Sequence, residues 1–262
     1  MAGRPLSFFS SFPIILAFAL AGMLAAQEIP KELIITTTRP ATSKNISHDG
    51  YSGLTVRDKE MAFSMMKLRQ QNAPRVGELA PNFKLFSLDR NREVELTELY
   101  REKPVVLLFS SWGCDIFRES VGGLTDLQVR YGDRVNFVMI YTREAHPLNG
   151  WAGELGRVSD PKTNEQRREV ARRFQAQMRL PYEVLVDDIE DPAMTQWAGW
   201  PVRVFMVGKT GHLVYSGALG PWGYRPYKGF VHGRGDRIGW DLEFSDGSLE
   251  DFLERSFPET KP

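Results

Sequence analysis

The chain has 262 residues, 42% of them hydrophobic and 25% charged, the usage of an ordinary globular protein, which excludes gross disorder and a collagen-like repeat. Its 33 Lys and Arg balance 33 Asp and Glu, so no net field draws it to nucleic acid or to an anionic membrane. One cysteine, Cys114, excludes an intrachain disulfide and a thiolate zinc cluster, and His48, His146, His212 and His232 lack metal-site spacing.

Residues 1–26 read as a signal peptide. Arg4 gives a positive start, and residues 12–26 form an apolar run of 15, short of the roughly 20 needed to span a bilayer. The expected destination is export, to a periplasm or outside the cell, with an uncleaved N-terminal anchor as the alternative. Residues 27–74 form an N-terminal extension in which Met61, Met65 and Leu68, at helical spacing, predict an amphipathic helix over 58–71. An exported chain with one cysteine gains no stability from an oxidising compartment, which points to chemistry at Cys114.

The main domain runs over 75–262. Residues 83–88 and 93–96 read as short strands joined by the turn Asp89-Arg90-Asn91. The unbroken apolar run at 105–109 is a strand buried on both faces. A helix over 115–131, a buried strand over 135–141, a helix over 163–178, and strands over 183–186, 203–207 and 213–216 follow, with a last helix over 248–257. Lys209-Thr210-Gly211 makes a hairpin of the last two strands. A β-α-β crossover followed by an antiparallel hairpin predicts an α/β, thioredoxin-like fold, a central mixed sheet flanked by helices.

Phe109-Ser110-Ser111-Trp112-Gly113-Cys114 leaves the first buried strand and enters a helix. Unpaired amides and the helix dipole there are expected to favour the Cys114 thiolate. Phe117 stands where a dithiol exchanger carries its second cysteine, so intramolecular dithiol chemistry is excluded. Pro201, ahead of the strand that opens the hairpin, is placed to face the cysteine, as a cis peptide. Tyr141-Thr142-Arg143-Glu144-Ala145-His146 follows the neighbouring strand, so its loop is expected to bring Glu144 and His146 toward the sulfur for proton exchange. Trp112, Trp151, Trp200 and Trp222 lie on predicted loops and suit either an aromatic wall for a phenolic ligand or packing.

Gly77-Glu78-Leu79-Ala80-Pro81-Asn82-Phe83, the cysteine segment, Glu144-Ala145-His146, Gly150-Trp151 and Gly220-Pro221-Trp222-Gly223-Tyr224 resemble the iodothyronine deiodinase family, a thioredoxin-fold branch that removes iodine reductively from iodothyronine rings. The resemblance implies Cys114 as nucleophile, Tyr141, Glu144 and His146 as the proton-handling network, and Arg203 and Trp151 near the substrate. It implies no cofactor beyond an external thiol reductant. This chain differs in having Trp112-Gly113 for Cys-Thr, Asp115-Ile116 for two prolines, Pro161 for a second histidine and Val202 for a glutamate, and it carries an insertion over about 225–247.

The remaining charges read as structural. Arg167-Arg168 and Arg172-Arg173 interleave with Glu165 and Glu169 as a solvated, ion-paired helix face. Asp187, Asp188, Glu190 and Asp191 suit turns and caps. The leading function is an exported, cysteine-dependent reductive dehalogenase acting on an aromatic substrate with an external thiol. The second is a one-cysteine peroxidase: Ser111 stands three residues before Cys114, where peroxiredoxins bind peroxide, although Leu107 stands where they carry a proline. The third is a non-enzymatic thioredoxin-fold binding module. The expected partners are the small aromatic substrate and the thiol, with no nucleic acid; a homodimer is left open.

Overall fold

A computed structural model describes residues 73–149, 156–220, 223–230 and 247–258. The signal peptide, the 58–71 helix, Trp151, Trp222 and most of the 225–247 insertion lie outside the described residues.

Seven strands form one mixed sheet: β1 (Lys84–Ser87), β2 (Arg92–Glu95), β3 (Val105–Ser110), β4 (Asn136–Tyr141), β5 (Glu183–Val186), β6 (Arg203–Val207) and β7 (Leu213–Ser216), in the order β2-β1-β5-β4-β3-β6-β7. β3, β4 and β5 are parallel, and β6 returns antiparallel beside β3, with Phe109 opposite Arg203. The β6–β7 hairpin turns at Gly211, whose φ of 80° a side chain would resist. This parallel crossover followed by an antiparallel hairpin is the thioredoxin-like arrangement that the sequence predicts.

β3, all six of whose residues are buried, reads as apolar throughout because both of its faces are covered. On one face Val106, Leu108, Met139, Val184 and Val204 meet α2 (Asp115–Tyr131), α3 (Asn164–Met178) and α5 (Leu249–Ser256), and Cys114 lies in this core. On the other, Leu107, Phe109, Ile140 and Phe205 meet α1 (Leu96–Tyr100) and α4 (Pro192–Trp197). Trp197 anchors α4, its ring 5.0 Å from Phe205 and 5.7 Å from Phe109.

Local chemistry fixes the helix starts. Thr163 accepts from the Gln166 amide ahead of α3, and Ser248 and Asp251 form a capping box at α5. Arg167 departs from the expected solvated face. It is 1% exposed, and its Nη1 donates to Asp191 Oδ1 at 2.6 Å and to the Asp188 carbonyl at 2.6 Å, tying α3 to the loop before α4. Asp187 accepts from the Ala193 and Met194 amides, so this acidic run does make turns and caps.

Residues 223–230 cross α2 on their way to α5. Tyr224, 3% exposed, bonds Ser120 at 3.1 Å, and the Tyr227 ring occupies the space a Cβ on Gly123 would need. Lys228 then pairs with Glu254, so the base of the insertion is fastened to two helices.

Candidate functional site

The site assembles at the C-terminal end of the parallel strands, where unpaired strand ends and a helix start meet. β3 ends at Ser110, the turn after it carries Ser111, Trp112 and Gly113, and Cys114 is the N-cap of α2. β4 ends at Tyr141, and its loop carries Glu144, Ala145 and His146. Parallel pairing of Ser110 with Tyr141 sets these two loops side by side.

Glu144 is 2% exposed and bridges the two loops. Its Oε2 accepts from the Gly113 amide at 2.6 Å, and its Oε1 accepts from the Tyr141 hydroxyl. That hydroxyl also accepts from the Trp112 amide at 3.2 Å. Burial pushes the Glu144 carboxyl up to about 7, against the pull of these donors, and the same burial raises Tyr141. His146 Nδ1 lies 2.7 Å from the Gly113 carbonyl. A carbonyl only accepts, so Nδ1 carries the proton of this bond. Ser111 Oγ accepts from the Ala145 amide at 3.0 Å, closing the loop from a third point.

Glu144 and His146 therefore meet at Gly113, directly before the sulfur, and Tyr141 backs Glu144 from the Trp112 amide. A methyl group on Gly113 would lie 2.9 Å from Glu144 Oε2 and 2.9 Å from the His146 amide nitrogen, so only glycine admits this closure.

The sulfur itself differs from expectation. Cys114 is 1% exposed, and burial, with Asp115 beside it, pushes its thiol up to about 12. The Ser110 hydroxyl, the Phe117 amide and the Arg118 charge pull the other way without prevailing. The helix start thus does not leave a standing thiolate, because desolvation of the charge exceeds the dipole's help.

The Trp200–Pro201 peptide is cis, and the Ser110 hydroxyl donates to the Pro201 carbonyl at 3.4 Å, which sets Pro201 beside the cysteine strand. Arg203 lies at the same sheet end but on the opposite face. Its neighbours Val202 and Val204 face the Cys114 core, while its guanidinium stacks 4.7 Å from the Phe205 ring. It is 1% exposed, its Nε donates to the Gly217 carbonyl at 2.8 Å, its Nη1 has no hydrogen-bond partner among the described residues, and burial pushes it down to about 9. The structure therefore gathers Cys114, Ser111, Pro201, Tyr141, Glu144 and His146, and sets Arg203 across the sheet. Trp112, 5% exposed, packs on Phe174 at 5.9 Å.

Sequence reasoning missed Ser110 and Gly113. Ser110 reads as the first polar residue after an apolar strand, and Gly113 as a departure from a family pattern. Only the paired loops show what each one touches. Among the described residues, no group of three His, Cys, Asp or Glu is placed to hold a metal, and no helix is long and apolar enough to cross a membrane.

The sequence model described as iodothyronine deiodinase matches residues 4–229. A thyroxine 5-deiodinase of Sparus aurata is 26% identical over 162 residues, covering 61% of this chain and 60% of that relative. A type I iodothyronine deiodinase of Xenopus laevis is 26% identical over 182 residues, covering 68% of this chain and 70% of the relative. The chain thus spans about three fifths of the length of the first relative. Among solved structures, the thioredoxin domain of a thiol-disulfide oxidoreductase from Bacteroides vulgatus is similar with a TM-score of 0.41 and 15% identity, over 55% of this chain and 89% of that one. A conserved protein from Geobacillus kaustophilus gives 0.45 and 18%, over 60% and 75%.

Proposed function

From the premise that this chain belongs to the iodothyronine deiodinase family, we propose that it is a cysteine-dependent oxidoreductase that removes halogen reductively from an aromatic substrate. The observation that carries the reading is the closure of Glu144 and His146 on Gly113, the residue before Cys114. Two groups able to exchange protons are thereby fixed one residue from the sulfur.

The Cys114 thiol passes its proton to His146, and the sulfur attacks the halogen of an aryl halide. The carbon–halogen bond breaks, its electron pair stays on the ring carbon, and that carbon takes a proton from His146, with Glu144 and Tyr141 as the reserve. Cys114 is left as a sulfenyl halide. A thiol of the medium displaces halide to give a mixed disulfide, and a second thiol restores Cys114 and leaves as the disulfide. Since the chain has one cysteine, both thiols come from outside. Arg203, which the resemblance sets near the substrate, lies buried on the sheet face away from Cys114 and takes no part in these steps. No cofactor enters this sequence of steps. The apolar segment 12–26 supports export, which N-terminal sequencing of the mature protein tests.

The reading is tested by paired turnover assays with excess dithiol, one arm following iodide release from an iodinated phenol and the other peroxide loss, each against Cys114→Ser. Iodide release that vanishes in Cys114→Ser is the expected result. His146→Ala should then lower kcat by about 10²-fold or more while the thiol still titrates. Peroxide loss without iodide release overturns the reading in favour of a one-cysteine peroxidase. No turnover in either arm overturns it in favour of a binding module.

A further inference from the structure

Beside the Cys114 turn, residues 157–161 and the first turns of α3 border an open cleft of about 610 Å³. Val158, Pro161 and Val170 give it an apolar floor, and charges of both signs rim it. Two of the three acids are paired with cations. Asp160 meets Lys162 at 3.5 Å and Arg143 at 3.9 Å, and Glu169 meets Arg172 at 3.6 Å. The start of α3 holds Glu165 below the usual carboxylate range through bonds to its own amide and to Thr163.

The arginines are not answered. Arg157 Nη1 bonds only the neighbouring Gly156 carbonyl, at 3.2 Å. Arg173 spreads its guanidinium 5.6 Å from the centre of the Trp112 ring. Neither forms an ion pair among the described residues. Arg118, on the first turn of α2, donates to the Trp112 carbonyl, and its pKa is lowered by burial and then by the charge of Arg157. Arg118 and Arg173 thus both lie against Trp112, two residues before the sulfur, with Arg157 near enough to Arg118 to oppose its charge, and among the described residues no ion pair balances Arg157 or Arg173. Like charges held together without counter-ions mark an anion site. The neighbouring carboxylates disfavour a dianion such as phosphate and leave a monoanion as the fitting guest, while the Arg fork on an aromatic face suits a planar carboxylate.

We propose that this cleft binds the carboxylate of a small amphipathic molecule, with Arg157 and Arg173 on the anion and Val158, Pro161 and Val170 under the apolar body. Two sources share this chemistry, a carboxylate-bearing aromatic substrate and a carboxylate-bearing thiol reductant. That the guest belongs to the Cys114 reaction rests on the proposed function; that the cleft takes a carboxylate does not.

The test is calorimetric titration of the Cys114→Ser protein, which cannot turn over. The probes are 3-(4-hydroxyphenyl)propionate, its uncharged amide, and 3-mercaptopropionate. The aromatic or the thiol acid should bind about tenfold tighter than the amide at low salt, an advantage that salt erodes. Arg157→Gln with Arg173→Gln should abolish that advantage and leave the amide's affinity and the thermal midpoint unchanged. Whichever acid binds tighter and displaces the other names the source. Equal binding of acids and amide overturns the proposal. So does survival of the preference in the double variant, or no saturable binding of either acid below about 10 mM. Iodide release is scored separately on the wild type. Carboxylate binding without turnover refutes the dehalogenase and spares the cleft, and turnover without carboxylate preference does the reverse.

Discussion

Gly113 has no side chain, and the volume a methyl group would take is filled by the Glu144 carboxylate and the His146 backbone. Gly113→Ala should therefore cost about 1–3 kcal/mol in urea unfolding, the usual penalty of forcing atoms into a closed site. Adding Glu144→Ala should recover only part of it, because the His146 backbone still stands in the way. Glu144 also makes stability depend on pH. Burial moves its carboxyl from 4.5 to about 7, and Asp187 moves from 3.8 to about 7 for the same reason. The folded state therefore keeps protons that the unfolded chain has already released. The stability tied to them is complete below the unfolded values and is lost as pH rises through about 7. Unfolding free energy should fall between about pH 4 and pH 7 and level off above, and Glu144→Gln should flatten that slope. At this scale the residue types were legible, as Cys114, Tyr141, Glu144 and His146 stand out by chemistry and position. The protonation of the sulfur was not, because desolvation depends on neighbours such as Trp112 and Tyr224 that only packing brings near.

Among the elements, α2 carries two adjacent glycines with opposite duties. Nothing lies within 4 Å of a Cβ on Gly122, whereas one on Gly123 would stand 2.3 Å from the Tyr227 ring. Gly122→Ala should stabilise by about 0.5–1 kcal/mol through helix propensity alone. Gly123→Ala should destabilise by about 1–3 kcal/mol by displacing Tyr227. Thermal melts of the two variants should move in opposite directions. α3 offers a second test. Arg167→Met leaves Asp191 buried without its cation and should cost about 3–5 kcal/mol in the same unfolding assay. The β-strands were legible because apolar runs and turn residues mark them. The one-and-a-half-turn helices α1 and α4 were not, since five or six residues give no period to read and tertiary contacts such as those of Trp197 hold them. The burial of Arg167 escaped for a related reason. Its sequence neighbours alternate in sign as on any wet helix, and the acid it meets lies 24 positions away.

Across the whole molecule, one sheet separates two cores, with the sulfur in one and Arg203 in the other. The topology was legible because crossover and hairpin follow from the order of elements. The side of the sheet on which each site residue falls was not, as it depends on strand register, where a shift of one position reverses every side chain. Cys114, protonated and enclosed, should react with iodoacetamide at pH 8 orders of magnitude more slowly in the native protein than in urea, as followed by mass spectrometry.

The proton on that sulfur also governs how long the molecule lasts. With no second cysteine to rescue it, one stray oxidation beyond the sulfenic state retires the chain for good. Hydrogen peroxide consumes thiolates, so a sulfur held as thiol in the core is oxidised slowly, and on the proposed reading the working life of the chain is set by how often that thiol loses its proton.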